Sequence, residues 1–250
     1  MLLVLDAGNT NITIGIYDSS ENLVATYRLI SDKYATVGAY KKQIKSMLGD
    51  FHITKCIIAS VVNNLDKTLK RAVDELYNIK SIILNSELNL DFKLLVNKPE
   101  EVGADRIANT AGAKQYLKPA IVIDLGTATT FDIVDKDGNF IGGTIMPGLA
   151  MQLSMLNNCT SKLPKIDIDE CSNAIGKNTV DCILSGVIRG TGASIDGLIA
   201  QCETELNEKA TIIITGGYAN LISKYMLRKP DYINQNLTLE GLKYIYNLNK

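Results

Sequence analysis

Two stretches of this chain follow one plan. Leu2-Leu-Val-Leu-Asp6-Ala-Gly8-Asn-Thr10-Asn-Ile-Thr13-Ile-Gly-Ile-Tyr-Asp18 can be set beside Val122-Ile-Asp124-Leu-Gly126-Thr-Ala-Thr-Thr130-Phe-Asp-Ile-Val-Asp135. Each holds an apolar run, Asp-x-Gly, a small polar turn, a second apolar run and an Asp-bearing turn. That last turn leads into a third run, Asn22-Leu-Val-Ala-Thr-Tyr against Asn139-Phe-Ile-Gly-Gly-Thr. Short apolar runs bounded by glycine turns read as buried strands. The copies drift by one residue between their first and last Asp. Self-similarity of this length predicts two related lobes, each presenting an Asp-Gly hairpin.

The hairpin has chemistry as well as shape. A turn rich in backbone N–H groups and threonine hydroxyls can seat a phosphate, and Gly126 lets the chain approach closely. Asp124 at the strand end can hold a cation beside that phosphate. A plain turn explains Asp-x-Gly equally well in a single copy; the second copy favours a nucleotide gripped by two such hairpins across a cleft.

The 250 residues, close to half of them hydrophobic, suffice for one or two domains with a sizeable core. With 26 basic and 27 acidic residues there is no basic surplus to attract nucleic acid. No stretch reads as a membrane span. The opening runs at once into Asp6, without a basic flank or small-residue cleavage site, so no signal peptide is expected. Cys56, Cys159, Cys171, Cys182 and Cys202 form an odd set without Cys-x-x-Cys spacing. That pattern suits reduced thiols in a cytoplasmic protein. The single histidine, His52, has no second histidine to share a metal and reads as a surface or edge residue.

Along the chain, helix formers from Thr36 to Asp50 end at Gly49. Cys56 to Val62 reads as a buried strand. Leu69, Val73 and Leu76 mark one face of a helix over 65–77, and Ser81-Ile-Ile-Leu another strand. This alternation predicts an α/β fold with a largely parallel core sheet behind an antiparallel meander. A polar stretch with Pro99 precedes Gly103-Ala-Asp105-Arg106, which opens a helix; an acid there also complements the helix dipole. Pro119 marks the crossing to the second lobe, giving lobes of 1–115 and 116–250. Gly142-Gly-Thr-Ile-Met-Pro-Gly148 reads as a loop with unusual backbone angles, followed by a helical run. The long helical region Thr179–Glu205 carries Ile183, Val187, Ile188 and Ile195, for a core or for a subunit interface. Gly190-Thr-Gly192 lacks the strand-turn-helix setting of a dinucleotide fingerprint. Thr211-Ile-Ile-Ile-Thr215-Gly-Gly217 is a strand ending in a glycine turn, against which a base or ribose could lie. Asn236 to Tyr246 reads as a short closing helix.

There is no Gly-x-x-x-x-Gly-Lys-Ser/Thr loop and no His-Arg-Asp motif. The paired hairpins and late strand-Gly-Gly instead resemble the superfamily of acetate and sugar kinases, Hsp70 and actin, in which duplicated ribonuclease-H-like lobes close on ATP. Within it the chain resembles type III pantothenate kinases over nearly its whole length. The blocks that carry this are Asp6-x-Gly-Asn-Thr10, Gly103-Ala-Asp-Arg106, Asp124-x-Gly-Thr-Ala-Thr-Thr130, Gly142-Gly-x-Ile-x-Pro-Gly148 and Thr215-Gly-Gly217.

The resemblance implies ATP-dependent phosphorylation of pantothenate at its primary hydroxyl, toward coenzyme A. It implies a homodimer, a monovalent cation (potassium or ammonium) and a divalent ion, magnesium, with ATP. It makes Asp105 the base, and Gly103, Ala104, Asp105, Arg106 and Thr179 the pantothenate contacts. Asp6, Ala7, Gly8, Asn9, Thr10, Asn11, Ile12, Thr13 and Thr127 would bind ATP, and Asp124 the monovalent cation. Arg106 could clamp the pantothenate carboxylate or hold the helix start. The family's tyrosine seven residues before the block's first glycine is here Val96, which keeps a kinase for another small alcohol open. A regulatory protein of the same fold without turnover is the other alternative; the intact Asp6, Asp105 and Asp124 favour the enzyme.

Overall fold

A computed structural model describes residues 1–250. Leu2–Ala7 (β1), Asn11–Tyr17 (β2) and Leu23–Ile30 (β3) form an antiparallel meander. Lys55–Ser60 (β4) and Ile82–Ile83 (β5) join it in parallel, in the order β3-β2-β1-β4-β5. The second sheet repeats this with Ala120–Leu125 (β6), Ala128–Val134 (β7), Phe140–Pro147 (β8), Thr211–Thr215 (β9) and Tyr232–Ile233 (β10). Its order, β8-β7-β6-β9-β10, and its strand directions match the first.

The repeat extends to details. The register shifts between Ile16 and Tyr17 in one sheet and between Ile133 and Val134 in the other. Asp18 accepts the N–H groups of Ser20 and Asn22, both at 2.9 Å; Asp135 accepts those of Asp137 at 2.9 Å and Asn139 at 2.8 Å. The last Asp of each copy is therefore a turn former, its carboxylate standing in for a backbone carbonyl. The one-residue drift sits in the hairpin itself: Gly8-Asn9-Thr10 link β1 to β2, whereas only Gly126-Thr127 link β6 to β7.

The chain divides into two compact units, one of residues Met1–Lys114 and Asn236–Lys250, the other of Gln115–Gln235. In the first, β1 is flanked on both sides and buried on both faces, so it reads as continuous apolar sequence; the edge strand β3 alternates. Leu3, Leu5 and Ile58 meet helices Val37–Leu48 (α1) and Leu65–Tyr77 (α2) on one face. Thr36 starts α1 by accepting the Ala39 N–H at 3.2 Å, and Tyr40, Ile44 and Leu48 form its buried stripe. On the other face Val4, Ile57 and Ala59 meet helix Ala104–Gly112 (α3) and the closing helix Leu237–Leu248 (α8). The closing helix, expected with the second lobe, thus completes the first unit, because Leu239, Leu242 and Ile245 fill that face. Each of α3 and α8 follows the last strand of its own sheet, so they occupy equivalent places in the repeat.

The second unit packs Leu149–Asn158 (α4), Thr179–Leu184 (α5), Gly190–Leu206 (α6) and Ala219–Ile222 (α7) around Ile121, Ile123, Leu125, Ile212 and Ile214. Two expectations change here. Gly142 to Gly148, read as a glycine loop, falls almost wholly within the edge strand β8, paired to β7 along its length; an edge tolerates the glycines and proline that a central strand would not. The run Thr179–Leu206, 28 residues, is long and apolar enough by length and composition to cross a membrane, contrary to the sequence reading. Its Ile183, Val187, Ile188, Ile195 and Ile199 lie in the core of this unit.

Candidate active site

In the first unit, β1 delivers the acid and the turn. Asp6 and Ala7 pair with Thr13 and Ile12 across the hairpin and with Ala59 and Ser60 on β4. Gly8 N–H donates to Asn11 O at 3.0 Å, closing a turn whose Asn9 and Thr10 are exposed. Ala7 and Ile12 are fully buried in the core, so of these two residues only the backbone remains for a ligand. Asp6, Gly8, Asn11 and Thr13 are partly exposed.

The Gly103–Arg106 block arrives at the same end of the sheet. Where β4 stops, Val61 N–H donates to Ala7 O at 3.2 Å. Val61 Cγ1 lies 3.6 Å from where a side chain on Gly103 would begin. One residue thus joins the hairpin to the start of α3. Ala104 is buried, and Asp105 and Arg106 are half-buried. Asp105 Oδ1 accepts the Arg106 N–H at 2.8 Å. Gly103 has no Cβ to meet this oxygen, which would lie 2.5 Å from one. Burial raises the Asp105 carboxyl above its usual range, while the Arg106 N–H and positive charge pull it partly back. A carboxylate so placed is a better proton acceptor than one in water.

In the second unit three blocks converge on the end of β6. Gly126 N–H donates to Ala128 O at 3.0 Å, and Gly148 N–H to Thr127 O at 3.1 Å, tying the end of β8 onto the hairpin. Thr127 is exposed and Asp124 half-buried. Gly216, after β9, has φ of +90° and packs its backbone on Asp124 and Leu125; a Cβ there would lie 2.5 Å from Asp124 Oδ1. Both the angle and the space demand glycine. Gly216→Ala is expected to cost about 1–3 kcal/mol of stability, read as a lowered midpoint in thermal unfolding; an unchanged midpoint would show that the Asp124 region yields freely. Thr179 is exposed at the first position of α5, which Asn178 caps by accepting the Asp181 N–H at 2.9 Å.

A cavity of about 620 Å³ opens beside Tyr218, the residue after Gly216-Gly217. It is bounded by Ser154 and Asn157 on α4, by Lys165 and Asp167 in the segment after it, and by Tyr218. Its volume falls in the range of small-molecule sites. Residues 157–168 mix polar side chains with Leu163, Ile166 and Ile168, which pack on the core of this unit. No group of three or more His, Cys, Asp or Glu side chains is gathered for a metal. Asp124 contributes a single half-buried carboxylate to this turn.

Comparison with known proteins agrees with this geometry. The family model of type III pantothenate kinase matches residues 2–201. A type III pantothenate kinase of Citrifermentans bemidjiense is 38% identical over 256 residues, covering 100% of both chains. That of an Exiguobacterium species is 36% identical, again over 100% of both. Among solved structures, the activator of 2-hydroxyisocaproyl-CoA dehydratase from Clostridium difficile, with bound ADPNP, has the same fold. It aligns with a TM-score of 0.54 at 13% identity, covering 99% of this chain and 93% of that one. The duplicated α/β architecture, the ordered blocks and full-length identity above one third place this chain in the type III pantothenate kinase family.

Proposed function

We propose that Asp105 is the base of this kinase, that Gly103 to Arg106 and Thr179 meet pantothenate, and that the Asp6 and Asp124 turns meet ATP. The overall reaction follows from the family: ATP-dependent phosphorylation of pantothenate, the first step of coenzyme A biosynthesis. The observation that supports the assignment of roles is the shared sheet end in the first unit. There a half-buried carboxyl with raised affinity for a proton stands one residue contact, Val61, away from a phosphate-type turn.

Phosphoryl transfer passes through a loose transition state, so the chain's work is positioning and charge balance. Asp105 orients the pantothenate hydroxyl and accepts its proton late, as the new O–P bond forms. Backbone N–H groups at Gly8 to Thr10, with the Thr10, Thr13 and Thr127 hydroxyls, would hold phosphate oxygens. The cavity beside Tyr218 offers room for the nucleoside. A divalent ion accompanying ATP would neutralise phosphate charge, and Asp124 would hold potassium or ammonium.

The remaining features are consistent with a cytoplasmic homodimer. Ile145 on β8 and Met151 and Met155 on α4 are exposed apolar side chains available to a second copy. All five cysteines are free, as in a reducing compartment.

Purified protein is expected to release ADP only when pantothenate and potassium are both supplied, and Asp124→Asn to lose the potassium response. ADP release that ignores potassium would remove the cation from Asp124. Turnover with a different alcohol in place of pantothenate would reassign the acceptor, an outcome Val96 makes worth including in the panel.

A further inference from the structure

The helix that begins at Thr179 is not uniform. Between α5 and α6, residues Ser185–Arg189 widen into a π turn. Such turns re-aim side chains and gather at functional sites. Here both ends of the turn reach one segment, residues 171–178, which is largely exposed beyond the buried Cys171. Ser185 Oγ donates to Ala174 O at 2.6 Å, and Arg189 Nη2 to Cys171 O at 3.3 Å and Ser172 O at 2.9 Å. The Arg189 guanidinium lies over the Tyr225 ring, 5.1 Å from its centre, and Tyr225 Oη accepts the Cys171 N–H at 2.8 Å. One stacked Arg–Tyr pair therefore grips the backbone of residue 171 by both its N–H and its C=O. Arg189 Nε is buried with no partner; a guanidinium left with one unmet donor is oriented by its other contacts.

Besides this grip the stretch is held by local bonds, Cys171 Sγ donating to Asn173 O at 3.1 Å and Ser185 Oγ to Ala174 O. Ser172 to Ile175 are exposed, so apolar burial does not fix them. The stretch is anchored at its start by the buried Cys171 and near its end by Gly176, whose Cβ position lies 2.4 Å from Cys182 N. Asn178 then caps α5, and Thr179 is next. The far root of the clamp is also informative. Helix α7 and the turn Ser223–Tyr225 follow closely on Gly216–Tyr218, and Lys224 pairs with Glu170 beside Cys171.

We infer that Arg189 and Tyr225 are positioning residues for the acceptor. They hold residues 171–178 so that Thr179 is presented to pantothenate, and they fasten that segment to the chain leaving the glycine turn on the nucleotide side. This rests on the proposal that Thr179 touches pantothenate.

The test uses Arg189→Met, Arg189→Lys and Tyr225→Phe in the full chain, with steady-state kinetics and amide hydrogen exchange. Tyr225→Phe keeps the stacked ring and removes only the hydrogen bond to Cys171. Losing one or two such bonds predicts about a tenfold rise in pantothenate KM for Arg189→Met, with ATP KM and kcat within about twofold. Arg189→Lys should recover part of the loss, and Tyr225→Phe should show a smaller rise. Exchange over 171–179 should quicken in Arg189→Met while β6 and β9 stay protected. Unchanged exchange over 171–179 overturns the clamp. Faster exchange with unchanged pantothenate KM overturns its positioning role. A wild-type protein inert toward pantothenate overturns the kinase assignment and the acceptor role together, and is distinguished by normal protection of 171–179 in that same protein.

Discussion

Asp105→Asn is expected to lower kcat by about 10²–10⁴-fold, the usual worth of a positioned base, while ATP still binds with near-normal KM. The change is nearly isosteric, and the amide oxygen can still accept the Arg106 N–H now bonded to Asp105 Oδ1. What disappears is the proton acceptor. The wild-type pH profile carries the same assignment. Burial raises the Asp105 carboxyl, so the acid limb of kcat/KM should lie above the ordinary aspartate value of about 3.9, with activity falling as pH drops through it.

Stability should move the other way. A carboxyl that binds its proton more tightly when folded loses stability as pH rises from the unfolded value through the folded one. At neutral pH the ionised Asp105 is therefore a stability cost, and Asp105→Asn should melt no lower than wild type. A variant that kept near-normal turnover would remove Asp105 from the base role. One that both lost turnover and melted early would show a damaged fold instead.

Gly241→Ala should be the most damaging small substitution in the first unit. A Cβ at this position on α8 would lie 1.8 Å from Ala108 O and 2.8 Å from Gly112 N, backbone atoms of α3 that cannot swing aside. The opposing Gly112 is equally committed, its Cβ position 2.5 Å from Leu237 O. Two helices meet here backbone to backbone, with Thr238 Oγ1 donating to the buried Asn109 Oδ1 at 2.7 Å beside the contact. Forcing them apart is expected to cost at least about 3 kcal/mol, or a fall in Tm of roughly 6–12 °C. Gly197→Ala is the control. That glycine is exposed on α6 with nothing within 4 Å of the added carbon, so the better helix former should stabilise by about 0.5–1 kcal/mol. Equal melting of the two variants would show that α3 and α8 are not in contact as described. Because α3 carries Asp105, Gly241→Ala should also reduce turnover.

The sheets were readable in the sequence because their signal is local. The strands β1 and β6 each open on an apolar run, and each hairpin announces itself with Asp-x-Gly, so the duplication is legible from Leu2 to Asp18 against Val122 to Asp135. What escaped was set by contacts distant in sequence. Nothing in the sequence near Gly241 reveals that its partner is Ala108, so the sequence alone does not place the closing helix beside α3. Gly142 to Gly148 looked like a loop because its strand pairing is supplied by β7. Ala7 and Ile12 came from a motif; the motif records which residues recur at a turn and not which way they face, and both side chains point into the core. Asp105 itself was identified by resemblance. An acid in a helix's first turn is common, and only its place beside Val61 and the β1 turn distinguishes it.

The return of α8 to the first unit bears on how the molecule is made. The surface of α3 that faces Leu237 and Gly241 is synthesised before the whole of Gln115–Gln235, and its cover only afterwards. On the ribosome, then, the N-terminal sheet can assemble early, but the helix bearing Asp105 stays uncapped on one side until translation reaches the last few turns. The second unit, made of one unbroken stretch, has no such wait.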